Sequence, residues 1–347
     1  MELSERKRQI LAAIVKAYII SGEPIGSKML CDILENAPSS ATLRNEMSSL
    51  CNMGLLEQPH TSAGRVPTPS AYRLYVEDMM PKGEISQGDK ETIDAALSNS
   101  NCDPEHLPET AAKLLSDLTG LPVVAANISK HGPTIKKVEY MRLGLHSLML
   151  FVVTSDGRTR SRLCHIEKGC DSIDFTLFDK ILCDKILDKS AKSLSPAAMQ
   201  SIFVSAGSGA FPLMPLFAFL FDMISDISKS DINIVGTSNI YAFCPARDDA
   251  NKMLSLLTKR DTVLEIISKS DANVGIVLGA ETPYSALNNS SVVFAKYGSN
   301  DYMGSLCIIG PTRMSYEHIL PCIRYAALRL SERLAVSLKD MEEHLNV

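Results

Sequence analysis

The sequence lacks the residue patterns that mark common enzyme and metal sites. Its 347 residues contain no Gly-Lys-Ser or Gly-Lys-Thr step, and after Gly207-Ser208-Gly209 a proline, Pro212, stands where a phosphate loop needs a third glycine. The seven histidines are dispersed, and Cys164-His165 with Cys170 lacks the paired ligands of a zinc site. We therefore predict that the protein is not an enzyme and that it has no cofactor and no bound metal.

Paired cysteines and a leader segment are also missing. The nine cysteines occur singly, without a Cys-x-x-Cys pair, which is typical of reduced thiols in a cytoplasm. The charged N-terminus predicts no signal peptide. The most apolar stretch, Phe211 to Phe221, is too short to span a bilayer, so we expect it in a core or an oligomer interface and expect no membrane contact.

Basic charge is scarce. The net charge is −5, and within residues 1–80 eight basic side chains stand against nine acidic ones. Any affinity for nucleic acid must therefore come from where the basic residues are placed, because the net charge does not provide it.

Residues 1–80 nevertheless carry the signals of a winged helix-turn-helix. Three helices are predicted from caps and apolar periodicity: one after Ser4 that ends at Gly22 and Pro24, one over roughly 27–35, and one that Ser39 caps. Such lengths suit two helices that cross steeply through a short turn.

The third helix presents small and polar side chains away from its apolar face. Leu43, Met47 and Leu50 recur at i, i+4 and i+7 and predict packing on the first two helices. The opposite face and its flanks supply the expected groove-facing residues, Ser40, Ala41, Thr42, Arg44, Asn45 and Ser48. Asn bridges adenine edges, Arg reaches guanine or phosphate, and Ala or Thr meets a thymine methyl. A solvated helix face has the same composition, so this helix alone leaves both interpretations open.

A basic hairpin follows the third helix. Leu55–Glu57 predicts one strand, and Val66 and Thr68 return as the second. The loop supplies the other expected DNA contacts, His60, Thr61, Ser62, Gly64 and Arg65. Gly64 is expected to form a tip with positive φ, and Arg65 to reach a phosphate or the minor groove. Some winged helices bind only protein, but helix and wing together favour DNA.

Several strings resemble the bacterial heat-inducible transcription repressor family HrcA. They are the third helix and wing, 39–47 (SSATLRNEM) and 56–68 (LEQPHTSAGRVPT), the segment 310–316 (GPTRMSY), and the shorter segments 3–6 and 22–27. The resemblance runs over nearly the whole chain, and the wing string is long enough to be specific. Ser40 stands where the family commonly has Pro, and Leu55 where Tyr is usual.

The resemblance implies a cytoplasmic negative regulator of class I heat-shock (chaperone) genes. It implies that a homodimer binds double-stranded DNA at the inverted-repeat operator CIRCE, and that the chaperonin GroEL modulates its activity. It also implies a GAF-like domain that carries an inserted dimerisation domain. The alternative is a ligand-sensing transcriptional regulator whose GAF-like domain binds a small-molecule effector.

Downstream of the wing, a sheet, a helical stretch and a second set of strands predict an α+β multidomain fold with one domain inserted in another. We predict a winged helix over 1–80, a linker with a short helix over 81–106, a GAF-like α+β domain over 107–168 and 272–347, and an inserted α/β dimerisation domain over 169–271. The apolar stripe of the last helix is predicted to pack across its own sheet, with an intermolecular coiled coil as the alternative.

Overall fold

The computed structural model describes residues 3–34, 37–60, 63–81, 83–99, 103–127, 132–228, 232–244, 247–268, 272–299 and 302–345. Of the predicted DNA contacts, Thr61 and Ser62 lie outside these ranges. The N-terminal part consists of α1 (Glu5–Ser21), α2 (Ser27–Ile33), α3 (Ser40–Asn52), β1 (Leu56–Glu57), β2 (Val66–Pro67) and α4 (Pro69–Leu74). Helix α4 continues as a π-helical turn over Tyr75–Met79.

The local signals for the first helices are confirmed. The Ser4 side chain accepts a hydrogen bond from the backbone N–H of Lys7, and the Ser39 side chain accepts one from Thr42. Gly22 ends α1 in the left-handed conformation that a residue with a side chain rarely adopts.

The remainder of the chain alternates helices and strands. Its helices are α5 (Gln87–Asn99), α6 (Leu107–Thr119), α7 (Phe175–Ile181), α8 (Pro196–Ser205), α9 (Met214–Ser228), α10 (Ile240–Phe243), α11 (Arg247–Leu257), α12 (Arg260–Ser268) and α13 (Tyr316–Leu345). Its strands are β3 (Val123–Asn127), β4 (Ile135–Arg142), β5 (Ser147–Thr154), β6 (Thr159–His165), β7 (Ile232–Val235), β8 (Val274–Leu278), β9 (Ser290–Ser299) and β10 (Tyr302–Pro311).

A five-stranded antiparallel sheet, in the order β7-β3-β10-β9-β8, forms the centre of the C-terminal part. Successive side chains of a strand point to opposite faces. Val123 and Leu306 therefore pack on one face, in the same core as α6 and α13, whereas Val124 and Cys307 pack on the other, in a core with α10, α11 and α12.

The strands β4, β5 and β6 form a separate antiparallel sheet. Its buried face, which includes Leu150 and Val152, shares a core with α7, α8 and α9. The chain thus leaves the five-stranded sheet after β3, builds this second unit over residues 132–228, and returns at β7. The boundary that we drew between residues 168 and 169 runs through this common core, because strand patterning does not reveal which of two sheets a strand joins.

The segment 81–106 is more than a spacer. Ile93 and Leu97 of α5 are buried in the core that also contains α13. Helix α5 therefore packs on the last helix, and the predicted linker contributes to the C-terminal core.

The apolar run near Phe211 is partly buried in the second unit and partly exposed. Residues Gly209–Ser228 are long and apolar enough, by length and composition, to cross a membrane. Within them, Leu216, Leu220 and Ile224 are fully buried in the core with β5. The core helix of a soluble protein passes the same test of length and composition, and 44% of the tested window is buried within the structure.

The stripe of the last helix packs within its own subunit. Ile319, Ile323, Ala326, Leu330 and Leu334 are all buried in the core that includes β9, α5 and α6. This is the packing that the sequence favoured over a coiled coil.

Replacing Leu330 by Ala tests this packing. Leu330 is 0% exposed, so we expect Leu330→Ala to lower the free energy of unfolding by about 2–5 kcal/mol. Leu328 lies on the same helix and is 54% exposed, so Leu328→Ala should change it by only about 0.5 kcal/mol. Chemical denaturation at two protein concentrations measures the free energy of unfolding of both variants. Equal losses of free energy in the two variants would contradict the assignment of Leu330 to the buried face of α13.

Candidate nucleic-acid interface

Helix α3 is oriented as its sequence predicts. Leu43, Met47 and Leu50 are buried against α1 and α2, and Ala41, Arg44 and Asn45 are exposed. The polar face thus points away from the domain core, which is the orientation that a groove-reading helix needs.

Three of the hydroxyls predicted to face DNA also make hydrogen bonds within the domain. Ser40 Oγ lies 2.9 Å from Ser27 Oγ and joins the first turns of α2 and α3. Thr42 Oγ1 lies 2.9 Å from the capping Ser39 Oγ, and Ser48 Oγ donates to the Arg44 carbonyl at 2.9 Å. These hydroxyls fix the start and position of α3, so the freely presented groups are Ala41, Arg44 and Asn45.

Helix α3 carries an exposed cation, Arg44, that its own acidic residue does not neutralise. The one acidic residue of the helix, Glu46, lies 4.0 Å from Lys7 Nζ of α1. Within the described ranges, the Arg44 and Asn45 side chains have no hydrogen bond or ion pair. The domain is net negative, yet it presents the unpaired guanidinium of Arg44 beside the unpaired amide of Asn45. Affinity for DNA can therefore come from the placement of these groups.

The wing is a short hairpin that a third segment extends. Glu57 pairs with Val66 in the β1–β2 ladder, and Gln58 Nε2 donates to the Ala63 carbonyl at 3.1 Å. Ile25, between α1 and α2, exchanges two backbone hydrogen bonds of 2.9 Å with Arg65. The base of the wing is thereby fixed to the helix-turn-helix, and His60 is exposed on the loop.

The predicted reason for Gly64 is wrong. Its φ does not lie in the positive range that favours glycine. Instead, a Cβ built on Gly64 would lie 2.5 Å from the backbone carbonyl of Ile25. Glycine is required here because two backbone segments approach closely, a long-range contact that the loop composition does not reveal.

Arg65 is held more tightly than Arg44. Its backbone is bound to Ile25, and its Nε is buried with no hydrogen-bond partner among the described residues. A buried donor without a partner is costly. The contact between Arg65 and DNA stays a prediction.

The winged helix is docked on the C-terminal part by polar contacts that sequence reasoning missed. Arg73 of α4 forms a two-pronged ion pair with Glu281 and donates to the Ile276 carbonyl at 3.0 Å. Glu317 accepts hydrogen bonds from Tyr75 Oη at 2.6 Å and from Lys16 Nζ at 3.3 Å. These partners are more than 200 residues apart, so no spacing in the sequence signals them.

The same contact affects Tyr75 itself. Burial, followed by the hydrogen bond to Glu317, raises the pKa of the Tyr75 hydroxyl above its usual value. The hydroxyl therefore stays a neutral donor and holds α4 against the first turn of α13.

Comparison with known families decides the identity of the chain. Residues 2–79 match the family model described as the winged helix-turn-helix transcription repressor, HrcA DNA-binding, and residues 105–320 match that of the HrcA protein C-terminal domain. The chain belongs to the HrcA family. The expected resemblance is confirmed, and this family is one of transcription repressors.

Relatives match over almost their whole length. The chain is 32% identical over 344 residues to the heat-inducible transcription repressor HrcA of Clostridioides difficile (strain 630), which covers 96% of this chain and 100% of the relative. It is 31% identical to that of Bartonella quintana (strain Toulouse), covering 96% of each. A crystal structure described as that of a hypothetical protein shares the fold, with a TM-score of 0.66, 23% identity, and coverage of 97% of this chain and 100% of the other.

The close approach at Gly64 yields a test of the wing in this HrcA-family chain. Gly64→Ala forces the Ile25 segment away, so the two backbone hydrogen bonds between Ile25 and Arg65 should weaken. Hydrogen exchange should then show faster exchange of both amides. Gly26→Ala is the matched control, because a Cβ there has nothing within 4 Å. Unchanged protection in Gly64→Ala would contradict the assigned contact.

Proposed function

We propose that the chain is a sequence-specific DNA-binding negative regulator of class I heat-shock (chaperone) genes. In this proposal it acts in the cytoplasm and binds the inverted-repeat operator CIRCE as a homodimer, and GroEL modulates its activity. Family membership supports the class of regulator. The observation that carries the DNA contact is the unpaired Arg44 and Asn45 on the exposed face of α3.

We assign each residue a role at the DNA interface according to the hydrogen bonds that it already makes within the domain. Asn45 and Arg44, together with Ala41 one helical turn earlier, read base edges in the major groove. The wing contacts the DNA backbone or the minor groove through Arg65, His60, Thr61 and Ser62. Phosphate contacts of this kind position a protein without specifying sequence. Ser40, Thr42, Ser48 and Gly64 complete the site by setting the position of the helix and wing.

Two substitutions separate these roles. We expect Asn45→Ala to relax sequence preference, at a cost of about 1–3 kcal/mol at one base pair. We expect Arg65→Ala to weaken binding to all sequences and to flatten the salt dependence by about one ion. Fluorescence anisotropy on operator and scrambled duplexes across a salt series measures both.

Lys113→Ala provides the charge-matched control, because Lys113 is exposed on α6 in the C-terminal part. It should leave both quantities unchanged. If Asn45→Ala and Arg65→Ala also behave like the parent, the contacts are misassigned.

An apolar row on the second unit supports the homodimer. Met141 of β4 pairs with Met149 of β5, which pairs with Leu163 of β6, so the three side chains lie side by side on the face away from the core. Met141 is 51% and Leu163 59% exposed, and exposed Leu143 and Leu145 follow in the adjoining turn. Contiguous exposed apolar surface of this kind marks interaction sites. We propose that a second copy covers it, which gives the second unit the dimerising role.

A charge on this row should separate the two subunits. We expect Leu163→Asp to yield monomers in analytical ultracentrifugation and to lose most operator affinity, because one subunit then engages one half-site. Leu328→Asp, an equally exposed leucine on α13, should stay dimeric. A dimeric Leu163→Asp protein would place the subunit interface elsewhere.

Control by chaperonin is supported by apolar surface near the second unit's helices. Phe211 is 63% exposed, and Val204 of α8 and Met214 of α9 are also exposed. A chaperonin that captures such surface returns repressor to its active form, and heat-unfolded proteins compete for the chaperonin. The proposal predicts that operator occupancy of purified protein falls on heating and recovers when GroEL is added. Full occupancy throughout heating, with no effect of GroEL, would exclude this mechanism.

We further propose that the five-stranded sheet and its helices form the GAF-like domain. A second candidate function, effector sensing, is favoured by a cavity of about 600 Å³ between this domain and the winged helix. Tyr72, Arg313 and Asn289 line it, and the buried Tyr72 hydroxyl has no hydrogen-bond partner among the described residues. A metabolite that raises the melting temperature saturably in the parent but not in Tyr72→Phe would favour this candidate over chaperonin control.

A further inference from the structure

Three potential metal ligands converge where α5 packs on α13. His318 and Cys322 are four residues apart and so lie on the same face of α13. Asp89, in the first turn of α5, faces them from the other helix. Its Oδ2 lies 3.2 Å from His318 Nε2 and 3.9 Å from Cys322 Sγ, and the three ligand atoms are all within 4.8 Å of one another.

These spacings are close to those of a tetrahedral zinc site. With metal bonds of about 2.0–2.3 Å, neighbouring ligand atoms of a tetrahedral site are about 3.3–3.8 Å apart. The distances from Asp89 Oδ2 to the other two ligand atoms, 3.2 and 3.9 Å, differ from that interval by about a tenth of an ångström. His318 Nε2 and Cys322 Sγ lie within 4.8 Å of each other.

The ligand types select the metal. An imidazole nitrogen and a thiolate favour Zn²⁺ and related transition metals over Mg²⁺ or Ca²⁺. Three protein ligands leave a fourth position open, and the His318 side chain is 44% exposed, so water reaches that side of the cluster. Cys322 is buried, which places its sulfur on the protein side.

Hydrogen bonds already order one ligand. Ser86 Oγ donates to Asp89 Oδ2 at 2.7 Å, and His318 Nε2 lies 3.2 Å from the same oxygen. These contacts orient the carboxylate before any metal arrives. The same hydrogen bonds would also hold the helices together without a metal, so the test has to detect the metal–sulfur bond itself.

We propose that Asp89, His318 and Cys322 bind one Zn²⁺ ion or a similar divalent transition metal, with water as the fourth ligand. Binding forms a metal–sulfur bond and releases the Cys322 thiol proton to solvent, with no change in oxidation state. The ion fastens α5, which follows the winged helix, to α13. Sequence reasoning missed the site because Asp89 lies 229 residues before His318.

Cobalt provides the direct test, because a Co²⁺–thiolate bond has a charge-transfer band in the near ultraviolet. Metal-stripped full-length protein is titrated with Co²⁺ and then with Zn²⁺ as competitor. We expect one Co²⁺ per chain, the charge-transfer band, and its loss when Zn²⁺ displaces Co²⁺. Zn²⁺ should also raise the melting temperature.

Substitutions identify the ligands. Since losing an outer hydrogen-bond partner alone costs metal sites about 10–100-fold in affinity, loss of the thiolate in Cys322→Ser should cost about 100-fold or more. It should also abolish the charge-transfer band. Cys183→Ser, at an exposed cysteine outside the cluster, should keep the parent's band and affinity.

His318→Gln is the second variant, because its side chain is partly exposed and its replacement is least harmful to the core. It should retain a folded circular dichroism spectrum while binding Co²⁺ at least about tenfold more weakly. A parent without the charge-transfer band, a band that persists in Cys322→Ser, or one that disappears in Cys183→Ser overturns the proposal. None of these outcomes depends on DNA binding, so they leave the proposed repressor function untouched.

Discussion

The first turn of α13 holds the molecule together. Tyr316 is fully buried, and its hydroxyl lies 2.8 Å from both Ser291 Oγ of β9 and the Thr312 carbonyl. The next residue, Glu317, accepts hydrogen bonds from Tyr75 and Lys16 of the winged helix. One helical turn thus joins the sheet to the DNA-binding domain. Because one face of α13 is buried from Ile319 to Leu334, a displacement at this turn is resisted by the core that this face joins.

This junction fixes the orientation of the winged helix relative to the C-terminal part. Arg73 adds a second attachment at Glu281, and a Cβ on Gly22 would lie only 3.3 Å from Arg313 Nη1, so the end of α1 is also covered. An operator made of two half-sites requires recognition helices held about 34 Å apart, or a multiple of that distance. A domain on a free linker would not hold such a spacing. The attachment at α13 fixes the winged helix on its own subunit, and the proposed pairing of two second units would set the distance between the two recognition helices that a palindromic site requires.

The sequence predicted those features that depend on neighbouring residues. Ser4 and Ser39 were recognised as helix caps, and the inner face of α3 followed from the spacing of Leu43, Met47 and Leu50. Features that depend on distant residues were not predictable in this way. The strand patterns of β4 to β6 do not reveal which of the two sheets these strands join. The need for glycine at position 64 arises from the Ile25 backbone. The contacts of Arg73 and Glu317 join residues on different domains, which one sequence cannot pair.

Footprinting of the purified full-length protein on an inverted-repeat chaperone operator tests most directly the proposal that two docked winged helices bind DNA together. A docked pair of recognition helices predicts two symmetric patches of protection, one on each half-site, with major-groove guanines shielded and the patches separated by whole helical turns. Protection of a single half-site, or of no symmetric element at any protein concentration, would contradict the account.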